Sequence, residues 1–240
     1  MVIPETSFMA SIDKRILLVT GHYGSGKTEF AVSLAMLMAD RIGRDFKKMA
    51  LVDLDIANPY FRSRERREML ESKGIAVYGS FYKSEITAEL PALDAAIRAP
   101  LEDDDCFAIV DVGGNDSGAI VLNPFTKYFH RGNHYMLDVV NANRPETATI
   151  EGAMYHMEAI EYSTGLNIDY VVNNCHLLTE TTAKIVEKGH KFCNELCRVS
   201  GKKLWCDCYP SPFVKKEYLS DVGKYVMPLG MYMRETWLDK

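Results

Sequence analysis

Eight residues near the start of the chain have the types and spacing needed to hold a polyphosphate. Residues 21–28 are Gly-His-Tyr-Gly-Ser-Gly-Lys-Thr, so four residues separate a first glycine from Gly-Lys-Thr. In this pattern the glycines let backbone N–H groups converge on phosphate oxygens, the lysine bridges the outer phosphates and the threonine hydroxyl ligates Mg²⁺. The sequence therefore predicts a phosphate-binding loop whose contacts come from Gly24, Ser25, Gly26, Lys27, Thr28 and Glu29.

The residues on either side place this loop between a strand and a helix. Residues 15–20 form an apolar, β-branched run that is short enough for a buried strand, and residues 29–41 predict a helix. A helix that begins at the loop adds the positive end of its dipole to the phosphate site. The alternative that involves no ligand is a glycine-rich turn with an exposed lysine.

Two later apolar runs end in carboxylates. Residues 48–55 close with Asp53-Leu54-Asp55, and Asp111 follows four consecutive hydrophobic residues. A carboxylate in the setting of Asp111 holds Mg²⁺ directly or through water, and Asp55 is placed to orient a water molecule near the outer phosphate. For Asp53 the sequence leaves two roles open, a Mg²⁺ ligand or a support for the loop.

These residues together define a site for nucleotide hydrolysis or phosphoryl transfer, which needs positioning, cationic groups and Mg²⁺ ligands. The backbone N–H groups of Gly113 and Gly114 are expected to meet the γ-phosphate and to reorganise when it leaves. The predicted metal ligands are Thr28, Asp53 and Asp111, and the predicted catalytic residues include Lys27 and Asp55.

Strands and helices alternate along the whole chain, which predicts one α/β domain over residues 1–240. Strands are predicted at 15–20, 48–55, 75–78, 106–114, 135–140, 168–172, 203–208 and 226–229. Helices are predicted at 29–41, 62–72, 84–98, 146–162 and 179–199, with Pro91 in the first turn of its helix or interrupting it. This pattern implies a single-domain P-loop NTPase fold, a mostly parallel, doubly wound sheet with helices on both faces. Ligands gather at the carboxyl ends of such strands.

Composition narrows the classes of protein. The 240 residues are 47% hydrophobic, enough for a full core, and the net charge of −5 disfavours a broad nucleic-acid surface. The N-terminal residues 1–14 lack a signal pattern, and no apolar run approaches the roughly 20 residues of a membrane span. We therefore expect a cytoplasmic protein that binds neither membranes nor nucleic acid.

The six cysteines fit free thiols in a reducing compartment. Cys193, Cys197, Cys206 and Cys208 instead allow a zinc or iron–sulfur site. The first two would share a helix face, whereas the last two lie in a predicted strand, where alternate residues also suit a core.

Taken together, these motifs resemble the MinD/ParA/nitrogenase-iron-protein group of P-loop ATPases, also called deviant Walker A or SIMIBI ATPases. The resemblance covers the loop at 21–28, Asp53-Leu54-Asp55 as switch I, Asp111-Val112-Gly113-Gly114 as switch II and the later strand that ends at Asn173. The residue sequences around the loop and at 53–62 are similar to those of a little-described branch of that group.

The resemblance implies ATP and Mg²⁺ as cofactors, with Asn173 contacting adenine and the loop at Tyr209-Pro210 covering the base. A guanine-binding Asn-Lys-x-Asp motif is not found, since Asn173 is followed by Asn174, Cys175 and His176. The resemblance also implies a nucleotide-dependent homodimer, in which a signature lysine after the first loop glycine reaches into the partner's site.

The sequence departs from the group at this lysine, because His22 occupies its position. Histidine is shorter and mostly neutral at pH 7, so it supplies less charge to a transition state. Three alternatives follow. His22 contributes only hydrogen bonding to catalysis, another cation such as Arg62, Arg64 or Arg144 substitutes, or dimerisation is not used.

The function predicted from these residues is an Mg-ATP-dependent switch, a slow ATPase that acts on an unidentified client protein. The alternative is an ATP-dependent small-molecule kinase or a carboxylate-activating ligase of the cobyrinate-synthase or dethiobiotin-synthetase type. In that case Arg144 would hold a substrate carboxylate in a bidentate pair. A third possibility is an ATP sensor that binds without appreciable turnover.

Overall fold

The computed structural model describes residues 12–55, 66–79, 90–129 and 132–234. Its strands are β1 (Ile16–Thr20), β2 (Lys48–Asp53), β3 (Ile75–Gly79), β4 (Cys106–Asp111), β5 (His134–Val140), β6 (Tyr170–Asn173), β7 (Lys203–Pro210) and β8 (Val226–Leu229). They form one eight-stranded sheet in the order β3-β2-β4-β1-β5-β6-β7-β8, and every neighbouring pair in it runs parallel.

The α-helices are α1 (Lys27–Met38), α2 (Arg67–Glu71), α3 (Leu90–Glu102), α4 (Asp116–Ala119), α5 (Ile150–Thr164) and α6 (Ala183–Ser200). Helix α1 packs on one face of the sheet, in a core that includes Leu17, Val19 and Leu51. Helices α3, α5 and α6 contribute to the core on the other face, where Leu18 and Val110 lie. The predicted doubly wound α/β P-loop fold is thereby confirmed.

The central strands are apolar up to their last residues, Thr20 in β1 and Asp111 in β4, because both of their faces are covered. All five residues of β1 and all six of β4 are buried. A parallel sheet with helices on both faces requires such continuous runs, whereas a strand with one wet face alternates. This explains why the runs at 15–20 and 106–111 were recognisable in the sequence.

The chain order places a topological switch point at β1. Strands β2, β3 and β4 lie on one side of β1, and the chain then crosses to β5 on the other side. Ligands of open α/β sheets bind outside the carboxyl ends of the strands at such a point. The loop after β1 is the Gly-rich segment at 21–26.

Several helix boundaries differ from the predictions. The helix predicted at 146–162 is a short 3₁₀ segment (Pro145–Thr147) followed by α5, because Thr149 caps α5 by accepting a hydrogen bond from the N–H of Gly152. Helix α6 begins at Ala183 and not at residue 179, since the hydroxyl of Thr181 closes a turn with Leu177 and Leu178.

The segment after β4 was predicted to continue as strand to residue 114, but β4 ends at Asp111. The sequence also gave no prediction for α4 and the 3₁₀ segment Ile120–Tyr128 that follows it. Of the predicted helices at 62–72 and 84–98, residues 62–65 and 84–89 lie outside the described residues. Pro91 is the second residue of α3, where its missing N–H costs no helical hydrogen bond.

Within the described part of the chain, no helix has the length and apolar character needed to cross a bilayer.

Candidate functional site

The Gly-rich loop takes a backbone path that side chains would obstruct. Gly21, Gly24 and Gly26 have φ angles of 145°, 76° and 86°, values in the left-handed region that favours glycine. A Cβ on Gly21 would overlap the carbonyl oxygen of Val139 and lie 2.8 Å from the hydroxyl of Ser25. Gly26 is the N-cap of α1, so the free N–H groups of the first helical turn face the site.

A buried ion pair joins the loop to the end of β2. The Nζ of Lys27 lies 2.7 Å from Oδ2 of Asp55, and both side chains are less than 5% exposed. The N–H of Asp55 donates to Oδ1 of Asp53 over 3.1 Å, which fixes the turn that brings Asp55 under the lysine. The loop lysine and the second carboxylate of 53–55 are therefore in direct contact, and their catalytic roles stay a prediction.

Asp111 is a further buried carboxyl group beside this pair. It is fully buried at the end of β4, next to Asp53 in the sheet register, and neither of its carboxylate oxygens has a hydrogen-bond partner among the described residues. Burial raises the pKa of Asp111 to about 8; the charge of Lys27 opposes this shift and that of Asp53 adds to it. A buried acceptor without a donor is costly, and a cation would satisfy it.

The donor set fits Mg²⁺, which takes one or two carboxylates together with substrate phosphates and water. Thr28, Asp53 and Asp111 are all buried, and Asp53 and Asp111 are partners in the register between β2 and β4. The described residues contain no cluster of three or more His, Cys, Asp or Glu side chains arranged to hold a metal by themselves. A metal here would depend on phosphate ligands.

The two glycines after β4 pass close over the loop. A Cβ on Gly114 would lie 3.1 Å from Nζ of Lys27 and 3.0 Å from the backbone N of Tyr23. Gly113 packs against the backbone of Gly118, where a Cβ would come within 2.6 Å of its Cα. Both glycines are thus required for close approach, and Gly114 lies where its backbone can reach a phosphate held by Lys27.

A cleft opens beside the loop. Its polar lining, which we call the polar end, comes from Arg144, His176 and the loop and helix residues Gly24, Gly26, Lys27, Thr28 and Glu29. Within it, Nε2 of His176 lies 3.0 Å from where a Cβ on Gly26 would be. Its apolar lining, which we call the apolar end, comes from Leu178, Leu229, Met231 and Met233. This division suits a ligand with a charged head and an apolar ring system.

Arg144 lies over the loop at the polar end. Its Nε donates to the carbonyl oxygen of Gly24 over 2.8 Å, which leaves the rest of the guanidinium beside the loop and in the cleft wall. Of the three arginines considered as replacement cations, Arg62 and Arg64 lie outside the described residues. Arg144 is brought to the phosphate end by the turn that follows β5.

The two residues predicted to contact the base do not line this cleft. The side-chain amide of Asn173 is fully buried, donates to Val186 and Asp207 and accepts from the N–H of Cys175. Pro210 is buried at the end of β7, and its carbonyl accepts from Phe213 and Val214. Base contacts by Asn173 would require these internal hydrogen bonds to break.

Asn174, the next residue after Asn173, does contact the loop. The amide of Asn174 donates to the carbonyl oxygen of Ser25 over 2.7 Å, and Asn141 donates to the carbonyl oxygen of His176. The cleft-lining His176 and Leu178 were missed in the sequence, although the polar run after β6 was the available signal. Leu229, Met231 and Met233 were also missed, and no local pattern marks them.

His22 is half-buried, and its ring packs against that of His156 on α5, with ring centroids 5.1 Å apart. Its Nδ1 lies 3.0 Å from the carbonyl oxygen of Tyr23. His22 therefore contacts its own chain, beside the site and outside the cleft-lining set. Its predicted catalytic role remains a prediction.

The described cysteines are free and buried. Cys193 and Cys197 pack in the core under α6, whereas Cys206 and Cys208 belong to the core on the opposite sheet face. The described residues contain no metal-holding group that includes them. The zinc or iron–sulfur alternative therefore receives no support from this part of the chain.

No family model and no curated protein sequence matches the chain. Among solved structures, the cell division protein FtsY from Thermotoga maritima is similar, with a TM-score of 0.54 and 17% identity over 80% of this chain and 60% of that protein. FtsY from Mycoplasma mycoides has a TM-score of 0.51 and 12% identity over 80% of this chain and 58% of that protein. The chain thus spans about three-fifths of the length of these relatives.

At such identities the likeness defines the fold alone. That fold is an α/β P-loop NTPase-like fold, in agreement with the fold class predicted from the sequence. The narrower MinD/ParA assignment, the identity of the nucleotide and the roles of individual residues belong to the proposal that follows.

Proposed function

We propose that the chain binds Mg²⁺-ATP in the cleft beside the Gly-rich loop and acts as a nucleotide-dependent switch on a partner protein, with slow hydrolysis to ADP and phosphate. The observation that carries this proposal is the 2.7 Å ion pair between Lys27 and Asp55, next to the unpartnered carboxylate of Asp111. The three groups provide a phosphate-binding cation, a water-orienting base and a Mg²⁺ ligand.

The ion pair gives the site two arrangements of charge. Without a phosphate, Lys27 is neutralised by Asp55. When Lys27 turns its charge to the β- and γ-phosphates, Asp55 is released and can accept a hydrogen bond from the attacking water. Mg²⁺ held by Thr28 and Asp111 would neutralise charge on the phosphate oxygens, with Asp53 as a further ligand or as a support.

A backbone contact links the two strand ends that respond to this change. The N–H of Leu54 donates to the carbonyl oxygen of Asp111 over 2.8 Å, so the segments after β2 and β4 are joined next to the ion pair. Displacement of Asp55 would therefore also act on Val112 and on the glycines that follow. Segments that become ordered when a γ-phosphate binds and are released when it leaves are a common switching mechanism.

ATP is proposed over GTP for two reasons. The sequence has no Asn-Lys-x-Asp motif for guanine after β6, and its motifs resemble those of the MinD/ParA group of ATPases. The same resemblance supports a homodimer formed in the ATP state and a cytoplasmic location. A dimer would have to work without the signature lysine, since His22 replaces it.

The position of Arg144 favours the switch over the kinase or ligase alternative. A carboxylate-binding arginine would be expected in a separate substrate pocket, but Arg144 lies in the same cleft as Lys27 and donates to the loop through Nε. There it supplies positive charge to phosphates in cis. We therefore propose Arg144 as the cation that replaces the missing lysine.

The test compares two nucleotide states of the purified protein at tens of micromolar. Solution mass and backbone hydrogen exchange at Leu54, Asp55 and residues 112–114 are measured with Mg-ADP and with a non-hydrolysable Mg-ATP analogue. The proposal predicts slower exchange of these residues with the analogue than with ADP, and a dimer only with the analogue if the sandwich mechanism operates. Equal exchange and equal mass in both states would contradict a switch.

A further inference from the structure

Residues 230–233 fold back onto the first turns of α1. We call residues 230–233, which follow β8, the C-terminal hook. The N–H groups of Tyr232 and Met233 donate to Oε1 and Oε2 of Glu29 over 2.9 and 2.8 Å. The N–H of Gly230 donates to the hydroxyl of Ser33, which in turn donates to Glu29. One carboxylate therefore holds the hook through both of its oxygens.

The hook forms the apolar wall of the cleft. Met231 and Met233 line it together with Leu229, the last residue of β8. Met233 is 7% exposed and belongs to the α1 core, while Met231 packs against that core. Contacts with this core thus hold both methionines at the cleft. Their thioether groups are flexible and polarisable, and such groups contact aromatic rings favourably.

Backbone strain is concentrated at the two sides of this end of the cleft. Leu178 and Met231 have φ angles of 56° and 57°, and they are the only non-glycine residues with positive φ in the described part of the chain. Both line the cleft, on segments far apart in sequence. Such conformations are costly and persist where surrounding contacts enforce them, and they cluster at ligand-binding sites.

We propose that the C-terminal hook is the wall that contacts the nucleotide base, and that Glu29 is the positioning residue that holds it there. The inference rests on the proposed nucleotide binding and assigns the end of the cleft that the base occupies. The base would lie against Met231 and Met233, in the apolar lining that Leu178 and Leu229 also form. Glu29 then acts through the hook, since its oxygens already accept hydrogen bonds from the hook.

The test separates base contacts from phosphate contacts by using two probes. Mg-ATP carries both groups, whereas Mg-tripolyphosphate carries only the phosphates. The variant Glu29→Gln keeps the side-chain shape but replaces one acceptor oxygen with an NH₂ donor, which faces a backbone N–H that it cannot bind. Glu195→Gln, on the exposed face of α6, removes the same charge far from the hook and is the matched control.

We expect Glu29→Gln to weaken Mg-ATP binding about tenfold more than it weakens Mg-tripolyphosphate binding. Met231→Ala removes a wall side chain without touching Glu29, and should shift the ratio of the two affinities in the same direction. This second variant keeps the test valid if Glu29→Gln folds poorly. Glu195→Gln should bind both probes as the unmodified chain does.

The proposal would be overturned if Glu29→Gln and Met231→Ala each weakened both probes equally, or if both variants bound Mg-ATP with unchanged affinity. If Glu29→Gln lowered the midpoint of thermal unfolding but left the ratio of the two affinities unchanged, Glu29 would have only a structural role and the proposal would also be overturned. Failure of the proposed function looks different, because the unmodified chain would then bind neither ATP nor tripolyphosphate.

Discussion

The imidazole of His22 lies edge-on against the imidazole of His156, with ring centroids 5.1 Å apart and an angle of 77° between the planes. His22 is the residue at the position of the signature lysine, so this contact ties that position to helix α5 of the same chain. The His22 ring thus packs on its own chain. Charge for the phosphates would instead come from Lys27 and Arg144, which both line the cleft.

His156 should make stability fall as the solution is acidified. Burial lowers the pKa of His156 from 6.5 to about 4; the charges of His22 and Lys27 act in the same direction, and Asp116 opposes them. His156 therefore takes up a proton near pH 6.5 in the unfolded chain but only near pH 4 in the folded chain. The contribution of His156 is fully present above pH 6.5 and is lost as pH falls toward 4.

The measurement is the free energy of unfolding by urea at pH 7.5 and at pH 5. Between these values the unmodified chain should lose about 2 kcal/mol more than His156→Phe, which keeps a ring against His22 but cannot titrate. The comparison with the variant is needed because burial raises the pKa of Asp138 to about 7, and this carboxyl acts in the opposite direction in both proteins. Equal losses in the two proteins would contradict a buried neutral His156.

Gly21 and Gly43 should respond differently to the same substitution. Both have positive φ, 145° and 81°, but a Cβ on Gly21 would overlap Val139 whereas a Cβ on Gly43 would meet nothing within 4 Å. We expect Gly21→Ala to cost about 3 kcal/mol of unfolding free energy and Gly43→Ala about 1 kcal/mol. Urea unfolding of the two variants measures this difference. Similar costs would mean that the loop can relax away from β5.

Asp55→Asn should separate binding from hydrolysis. The amide cannot accept a proton from water, so turnover should fall at least about 100-fold. Mg-ATP affinity should be retained or increased, because Lys27 no longer has to leave a buried carboxylate before it binds phosphate. Steady-state ATPase assays and titration calorimetry give the two quantities. Normal turnover in this variant would assign the water-orienting role to another residue.

The sequence was sufficient to predict the sheet and to place the Gly-rich loop and the carboxylates at one edge of it. Strands such as β1 and β4 are buried on both faces, so their apolar runs were visible without any alignment. The loop and the carboxylates at 53–55 and 111 were also predictable. In parallel sheets the carboxyl ends of adjacent strands meet at one edge, and this brings Asp53 next to Asp111 in register.

The apolar end of the cleft could not be predicted because it depends on contacts between distant segments. Tyr232 and Glu29 are 203 residues apart, and the hydrogen bond between them leaves no periodic pattern in either segment. Asn173 was assigned to the base from the position of a motif alone. In the structure the amide that reaches the loop belongs to Asn174, one residue later, because the Asn173 side chain points to Val186 and Asp207.

The central claim, a Mg-nucleotide site built on Lys27, is tested most directly by titration calorimetry of Mg-ATP into the unmodified chain and into Lys27→Met. We predict saturable, Mg²⁺-dependent binding to the unmodified chain and at least about 100-fold weaker binding to the variant, since a charge-assisted contact to the phosphates is lost. The double variant Lys27→Met with Asp55→Asn removes the buried, unpaired carboxylate and controls for misfolding. Equal affinity of Lys27→Met and the unmodified chain, or no binding to the unmodified chain, would contradict the account.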